Sequence, residues 1–115
     1  MSNEVTVSSF NVFMSQLKTY SSLHLRPVII FGDQNNNLTL SIQASVYHYC
    51  LPRKDSLNEY THYEVGFPSK KEELLMPYIE VEGDNPTETV YPFVPVEVLV
   101  NLANNYGGIV GVSNA

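Results

Sequence analysis

An alternation of apolar and polar residues between positions 38 and 47 constrains the fold more than any other feature of this sequence. Side chains on a β-strand point to opposite faces with a period of two, which matches this pattern. We therefore predict an extended strand over Leu38–Cys50, with aliphatic side chains in a core and hydroxyl and phenol groups facing outward. The inward set is Leu38, Leu40, Ile42, Ala44 and Val46, and the outward set is Thr39, Ser41, Gln43, Ser45 and Tyr47.

The flanking segments predict further antiparallel strands. An apolar run at Val28–Phe31 is followed by GDQNNN, whose residues favour turns, so this run and the long strand form a hairpin. After a charged loop the alternation resumes, with Tyr63, Val65 and Phe67 predicted on one face. A further short strand is expected at residues 78–82.

Three segments predict helices. Phe10, Phe13, Leu17 and Tyr20 recur at helical spacing near the N-terminus. Ser69 and Glu72 have the spacing of a capping box, which predicts a short middle helix that ends before Pro77. The C-terminal helix has the clearest boundaries. Its apolar stripe contains Leu99, Leu102, Ala103 and Tyr106; Pro95 lies at its start and Gly107 at its end.

These elements predict an α+β two-layer sandwich. Its antiparallel sheet would have three to four strands, with an N-terminal helix, a short middle helix and a C-terminal helix on one face. A chain of 115 residues fits a single domain over 1–115. Within it, residues 1–7 and 112–115 are expected to be loosely ordered.

The charge distribution argues against a nucleic-acid partner. The net charge is −6, and the sequence from residue 72 onward contains seven acidic residues and no Lys or Arg. Binding to phosphate backbones depends on basic residues, so we expect none. No apolar run reaches the roughly 20 residues of a membrane span, and no signal peptide is evident, so we expect a cytoplasmic protein that does not bind membranes.

The segment SVYHYC raises the question of a metal or thiol site. His48 and the single cysteine, Cys50, are two residues apart and are predicted on the inward face of the long strand. With His62 they are weak candidates for a metal site, but their spacing matches no zinc pattern. A reactive thiol needs an electropositive, accessible setting, which an apolar strand face does not offer. We interpret both residues as structural and predict no metal or other cofactor.

Two groups of residues are candidates for binding. Tyr47 and Tyr49 end the outward row of the long strand, where a two-fold contact with a second copy would make a homodimer. Tyr60, His62 and Glu64 alternate on the next strand and could line a small cleft with acid–base groups. The sequence contains no catalytic motif that we can identify, so it does not establish an enzyme.

Three functional hypotheses follow. The first is a small interaction protein without catalytic chemistry, self-associating through the tyrosine-bearing sheet face and open to a protein partner. The second is a small-molecule binder or minor enzyme that uses the Tyr60, His62 and Glu64 region. The third is an acidic inhibitor of a nucleic-acid-handling protein, encoded by a mobile element, that binds through Glu80, Glu82, Asp84 and Glu88.

Overall fold

The computed structural model, described for residues 4–55 and 59–113, has an α+β architecture with one antiparallel sheet. The strand order is β4-β3-β2-β1-β5. The elements in chain order are α1 (Val7–Gln16), β1 (Val28–Gly32), β2 (Asn37–Gln43), β3 (His62–Gly66), a 3₁₀ turn (Met76–Tyr78), β4 (Val90–Pro95), α2 (Val96–Asn105) and β5 (Ile109–Ser113).

The core lies between the two helices and one face of the sheet. Alternate residues of paired strands meet there, for example Ile29 opposite Leu40 and Ile42 opposite Val65. Phe10 of α1 and Leu99 of α2 belong to the same buried cluster. The predicted hairpin, the inward Tyr63 and Val65, and the inward stripe of the C-terminal helix are therefore confirmed.

Local signals set the ends of the helices. Thr6 caps α1 and exchanges hydrogen bonds with Ser9, which stabilises the first turn. The helix ends at Gln16, so Tyr20 is exposed and lies outside the predicted stripe. At the end of α2, the Gly107 and Gly108 amides donate to the carbonyls of Asn104 and Ala103, and Gly107 has a φ of +94°. This is the hydrogen-bond pattern of a Schellman cap.

Several predicted elements were wrong. The sheet has five strands, because β4 and β5 were not foreseen. Ser69 starts no α-helix, since its hydroxyl accepts a hydrogen bond from the Thr39 amide, and only the 3₁₀ turn follows. Residues 79–82 form no strand. Phe67 follows the end of β3 and is exposed rather than buried. Residues 112 and 113, expected to be loosely ordered, pair with β1.

Candidate functional site

The segment that follows β2 leaves the sheet instead of continuing it. The strand ends at Gln43, and the chain returns to pairing only at Leu51, which bridges His62. Between them the His48 amide donates to the Ser45 carbonyl at 3.2 Å, as in a tight turn. The predicted strand over Leu38–Cys50 is therefore wrong beyond Gln43, and the outward polar row ends there.

Buried polar contacts explain why the segment turns. The Ser45 hydroxyl lies 2.6 Å from Nδ1 of His48 and accepts a hydrogen bond from the Tyr47 amide. The Cys50 thiol donates to the Ser45 carbonyl at 3.3 Å. A serine side chain that binds nearby backbone offers an alternative to the sheet ladder. His48 and Cys50 are buried, as predicted, but in a turn rather than on a strand face.

The weak metal candidates are not brought together. Within residues 4–55 and 59–113, no group of three or more His, Cys, Asp or Glu side chains could hold a metal ion, so His48, Cys50 and His62 do not form one. Burial, followed by the charge of Arg26, lowers the pKa of His48. Burial also raises the pKa of the Cys50 thiol. Both shifts favour the neutral form of the group.

The predicted trio of Tyr60, His62 and Glu64 is also divided. Tyr60 precedes β3 and is buried, with its ring centroid 5.5 Å from that of Tyr63 in the core. His62 and Glu64 are half-buried on the opposite face of the strand. The Glu64 carboxylate accepts a hydrogen bond from the Tyr49 amide. Burial raises the pKa of Glu64 despite that hydrogen bond. No acid–base group of three is formed.

Glu64 instead supports a cluster of exposed aromatic side chains. The ring centroids of Tyr49 and Phe93 are 5.7 Å apart, and the Phe93 amide donates to the Tyr49 carbonyl at 3.1 Å. Tyr49 and Phe93 remain 39% and 41% exposed. Phe93 has a φ of +55°, in an irregular part of the pairing between β3 and β4, so its side chain departs from the regular strand alternation.

Tyr47 lies two residues before Tyr49 in the segment after β2, and contacts with His24 and Asp55 hold this part of the segment. The Tyr47 ring packs edge-to-face on His24, with the centroids 5.3 Å apart. Asp55 accepts the Val46 amide at 3.0 Å and lies 3.3 Å from Nδ1 of His24. The Val46 amide is the main cause of the lowered pKa of Asp55. These contacts hold the segment in place while Tyr47 stays 51% exposed.

Arg53 is the cation of this surface. Its Nε donates to the Val46 carbonyl at 3.0 Å, and its guanidinium carbon lies 5.3 Å from the centre of the Tyr49 ring. Among the described residues, no carboxylate lies within ion-pair distance of Arg53. We refer to the exposed set formed by this segment and its neighbour on β4 as the aromatic patch: Val46, Tyr47, Tyr49, Leu51, Arg53 and Phe93.

Sequence reasoning identified Tyr47 and Tyr49 but missed Arg53 and Phe93. Arg53 lies in a charged loop that gave no periodic signal. Phe93 lies on a strand that was not predicted because it contains Pro92 and Pro95. The clustering of aromatic residues and prolines around Phe93 was the only available signal.

A separate groove of about 530 Å³ lies at the other edge of the sheet, between the end of α1 and β5. Lys18, Tyr20 and Val112 are among the residues that line it. None of the predicted site residues lines this groove. The predicted Tyr/His/Glu cleft is therefore not located there.

Comparison with known proteins gives no relative: no family model, no curated protein and no solved structure matches this chain. Within the described ranges, neither helix has the length and apolar character needed to cross a membrane.

Proposed function

We propose that this protein is a small interaction protein without catalytic chemistry of its own, and that it binds a protein partner through the aromatic patch. The observation that carries the proposal is that the exposed Tyr49 ring contacts both Phe93 and Arg53, with the exposed Tyr47 two residues earlier in the same segment. Tyr, Phe and Arg are enriched at protein interfaces, and Tyr and Arg are also enriched among the energetic hot spots.

The patch is also held in shape before any partner binds. The Asp55 carboxylate binds both the Val46 amide and His24, and Phe93 is hydrogen-bonded to Tyr49 through the backbone. A surface that is already ordered loses less conformational entropy on binding than a mobile loop does. These contacts therefore favour recognition over a merely solvated loop.

The chemistry of the patch specifies the partner segment. Arg53 has one face against Tyr49 and its Nε on a carbonyl, so its terminal nitrogens can bind a carboxylate. The exposed rings beside it offer apolar area. The best-fitting partner is thus a protein segment that presents an acidic residue next to an apolar one.

Selection from a random peptide library displayed on phage tests the proposal directly. We expect the purified protein to enrich peptides with an acidic residue beside apolar residues. Binding of a synthetic enriched peptide should weaken at least about tenfold in Arg53→Glu and in Tyr49→Ala, which corresponds to roughly 1.4 kcal/mol. Titration calorimetry or fluorescence anisotropy would measure the change.

Matched variants outside the patch provide the controls. Lys71→Glu repeats the charge reversal at an exposed lysine, and Phe67→Ala repeats the loss of an exposed aromatic ring. Both should leave peptide affinity unchanged. Peptides that bind Arg53→Glu and Tyr49→Ala as tightly as the parent protein would refute the patch as the binding surface, and so would the absence of any enrichment.

A further inference from the structure

An acidic segment lies next to the aromatic patch. Residues 80–82, Glu80, Val81 and Glu82, are all exposed, and Val81 is 52% exposed between the two carboxylates. We refer to these three residues as the acidic segment. It presents acidic groups on both sides of an apolar side chain, which is the chemistry that the aromatic patch is proposed to bind.

A hydrogen bond places the acidic segment beside the strand that contributes Phe93 to the patch. The Glu80 amide donates to the Val90 carbonyl at 3.1 Å, so the segment starts beside β4, the strand that contains Phe93. The charge of Glu80 also contributes to the raised pKa of Glu64, whose carboxylate accepts the Tyr49 amide. The acidic segment and the aromatic patch therefore both border β4 within one copy.

The acidic segment and a patch that presents the cation Arg53 are suited to a two-fold contact. A two-fold axis pairs each surface of one copy with the complementary surface of the other, so every contact forms twice and the assembly closes at two subunits. Arg53 of one copy would bind the Glu80 and Glu82 carboxylates of the other. The exposed rings of the aromatic patch would cover the other copy's Val81. Within one copy, Arg53 forms no ion pair with either acidic residue.

We propose that the partner is a second copy of this chain, in a two-fold dimer in which the acidic segment of each copy binds the aromatic patch of the other. The inference rests on the proposed function, because it names an occupant for the same surface. It differs from the sequence-based expectation of a dimer through an extended sheet face, since that face ends at Gln43.

Charge reversal and rescue test the dimer. Sedimentation equilibrium of the intact chain should show a monomer–dimer equilibrium that shifts to monomer in high salt, since exposed charge pairs are screened. Arg53→Glu should weaken dimerisation at least about tenfold, and so should Glu80→Lys combined with Glu82→Lys. Combining all three substitutions should restore much of the affinity, because the charges are complementary again.

The control repeats the charge changes at a separate surface pair. Lys71 and Glu73 lie 3.3 Å apart and are exposed, so exchanging them through Lys71→Glu and Glu73→Lys should leave the dimer unchanged. Circular dichroism of each variant would establish that it is folded. A chain that stays monomeric up to roughly 1 mM would overturn the dimer. At that concentration, any association free energy more favourable than about −4 kcal/mol would be detected.

The outcomes separate this inference from the proposed function. A monomer that still binds the selected peptides in an Arg53-dependent manner would lose the dimer but keep the binding surface. A dimer that is insensitive to Arg53→Glu and to the paired Glu80 and Glu82 reversal would overturn the proposed interface. A dimer that responds to the reversals and is rescued by their combination would support it.

Discussion

Arg26 and Arg53 both hold the chain that follows β2, but in opposite environments. Nη1 of Arg26 donates to the Ala44 carbonyl at 2.6 Å, and Nε of Arg53 donates to the Val46 carbonyl at 3.0 Å. Arg26 is 5% exposed, whereas Arg53 is exposed beside Tyr49. The same hydrogen-bonding chemistry therefore stabilises the fold at one position and leaves a cation available for binding at the other.

The guanidinium of Arg26 donates to main-chain carbonyls rather than to carboxylates. Its Nε donates to the Met14 carbonyl at 3.2 Å, which ties the end of α1 to the segment after β2. Its own amide donates to the Gln43 side chain, and the Gln43 amide group donates back to the Arg26 carbonyl. Across the described residues, no carboxylate lies within ion-pair distance of it. Arg26 thus connects α1, β2 and the segment after β2 through hydrogen bonds.

The largest expected effect is therefore on stability, from Arg26→Ala. The substitution removes the donors to Met14 and Ala44 and opens a cavity. The buried Ala44 carbonyl loses the Arg26 hydrogen bond, whereas the Met14 carbonyl keeps the one from the Leu17 amide. We expect the free energy of unfolding to fall by about 3 kcal/mol or more. Urea denaturation followed by circular dichroism would measure the loss. A change below about 1 kcal/mol would show that Arg26 does not anchor the segment.

A smaller effect is expected from pH at His48, on the buried side of the same segment. Its pKa is lowered by burial and then by Arg26, so the unfolded chain takes up a proton below its reference pKa of 6.5 while the folded chain does not. Proton uptake by the unfolded state lowers the free energy of unfolding as the pH falls below about 6.5. The fall continues until the pH reaches the pKa of folded His48.

His48→Gln should flatten this pH dependence, because it removes the buried titrating ring. Denaturation curves between pH 8 and about 5.5 would compare the variant with the parent chain. Burial raises the pKa of Glu64 above its reference value of 4.5, so its proton uptake in the folded state acts in the opposite direction as the pH falls. This contribution is common to the variant and the parent chain, so the difference between their curves reports His48. If both proteins lost stability equally across the window, His48 would not be the source of the dependence.

Much of the fold was predictable because its signals are local. The alternation at Leu38–Ile42 and at Tyr63–Val65, together with the glycine at the end of α2, correctly placed β2, β3 and the end of that helix. β4 and β5 were missed because Pro92 and Pro95 interrupt the first, and the second has only five residues with a glycine at its centre. Their pairing depends on neighbours that are distant in the sequence.

The site was less predictable because side-chain contacts override the periodicity there. Ser45 continues the alternating pattern, yet its hydroxyl binds His48 and the Tyr47 amide and so favours a turn. The alternation also placed Tyr60 beside Glu64, but Tyr60 precedes the strand and is buried near Tyr63. Nothing in a single sequence reports such long-range packing, so Arg53 and Phe93 became recognisable only in the folded chain.

The smallest expected stability effect is at Arg53. Arg53→Ala removes one hydrogen bond to the Val46 carbonyl and a contact with the Tyr49 ring, but both lie at an exposed surface where water replaces the lost donor. Asp55 still binds the Val46 amide, so the segment keeps a second anchor. We expect the free energy of unfolding to change by no more than about 0.5 kcal/mol in urea denaturation. A loss comparable to that of Arg26→Ala would mean that both arginines hold the fold, and any loss of binding at Arg53 would then reflect unfolding instead of recognition.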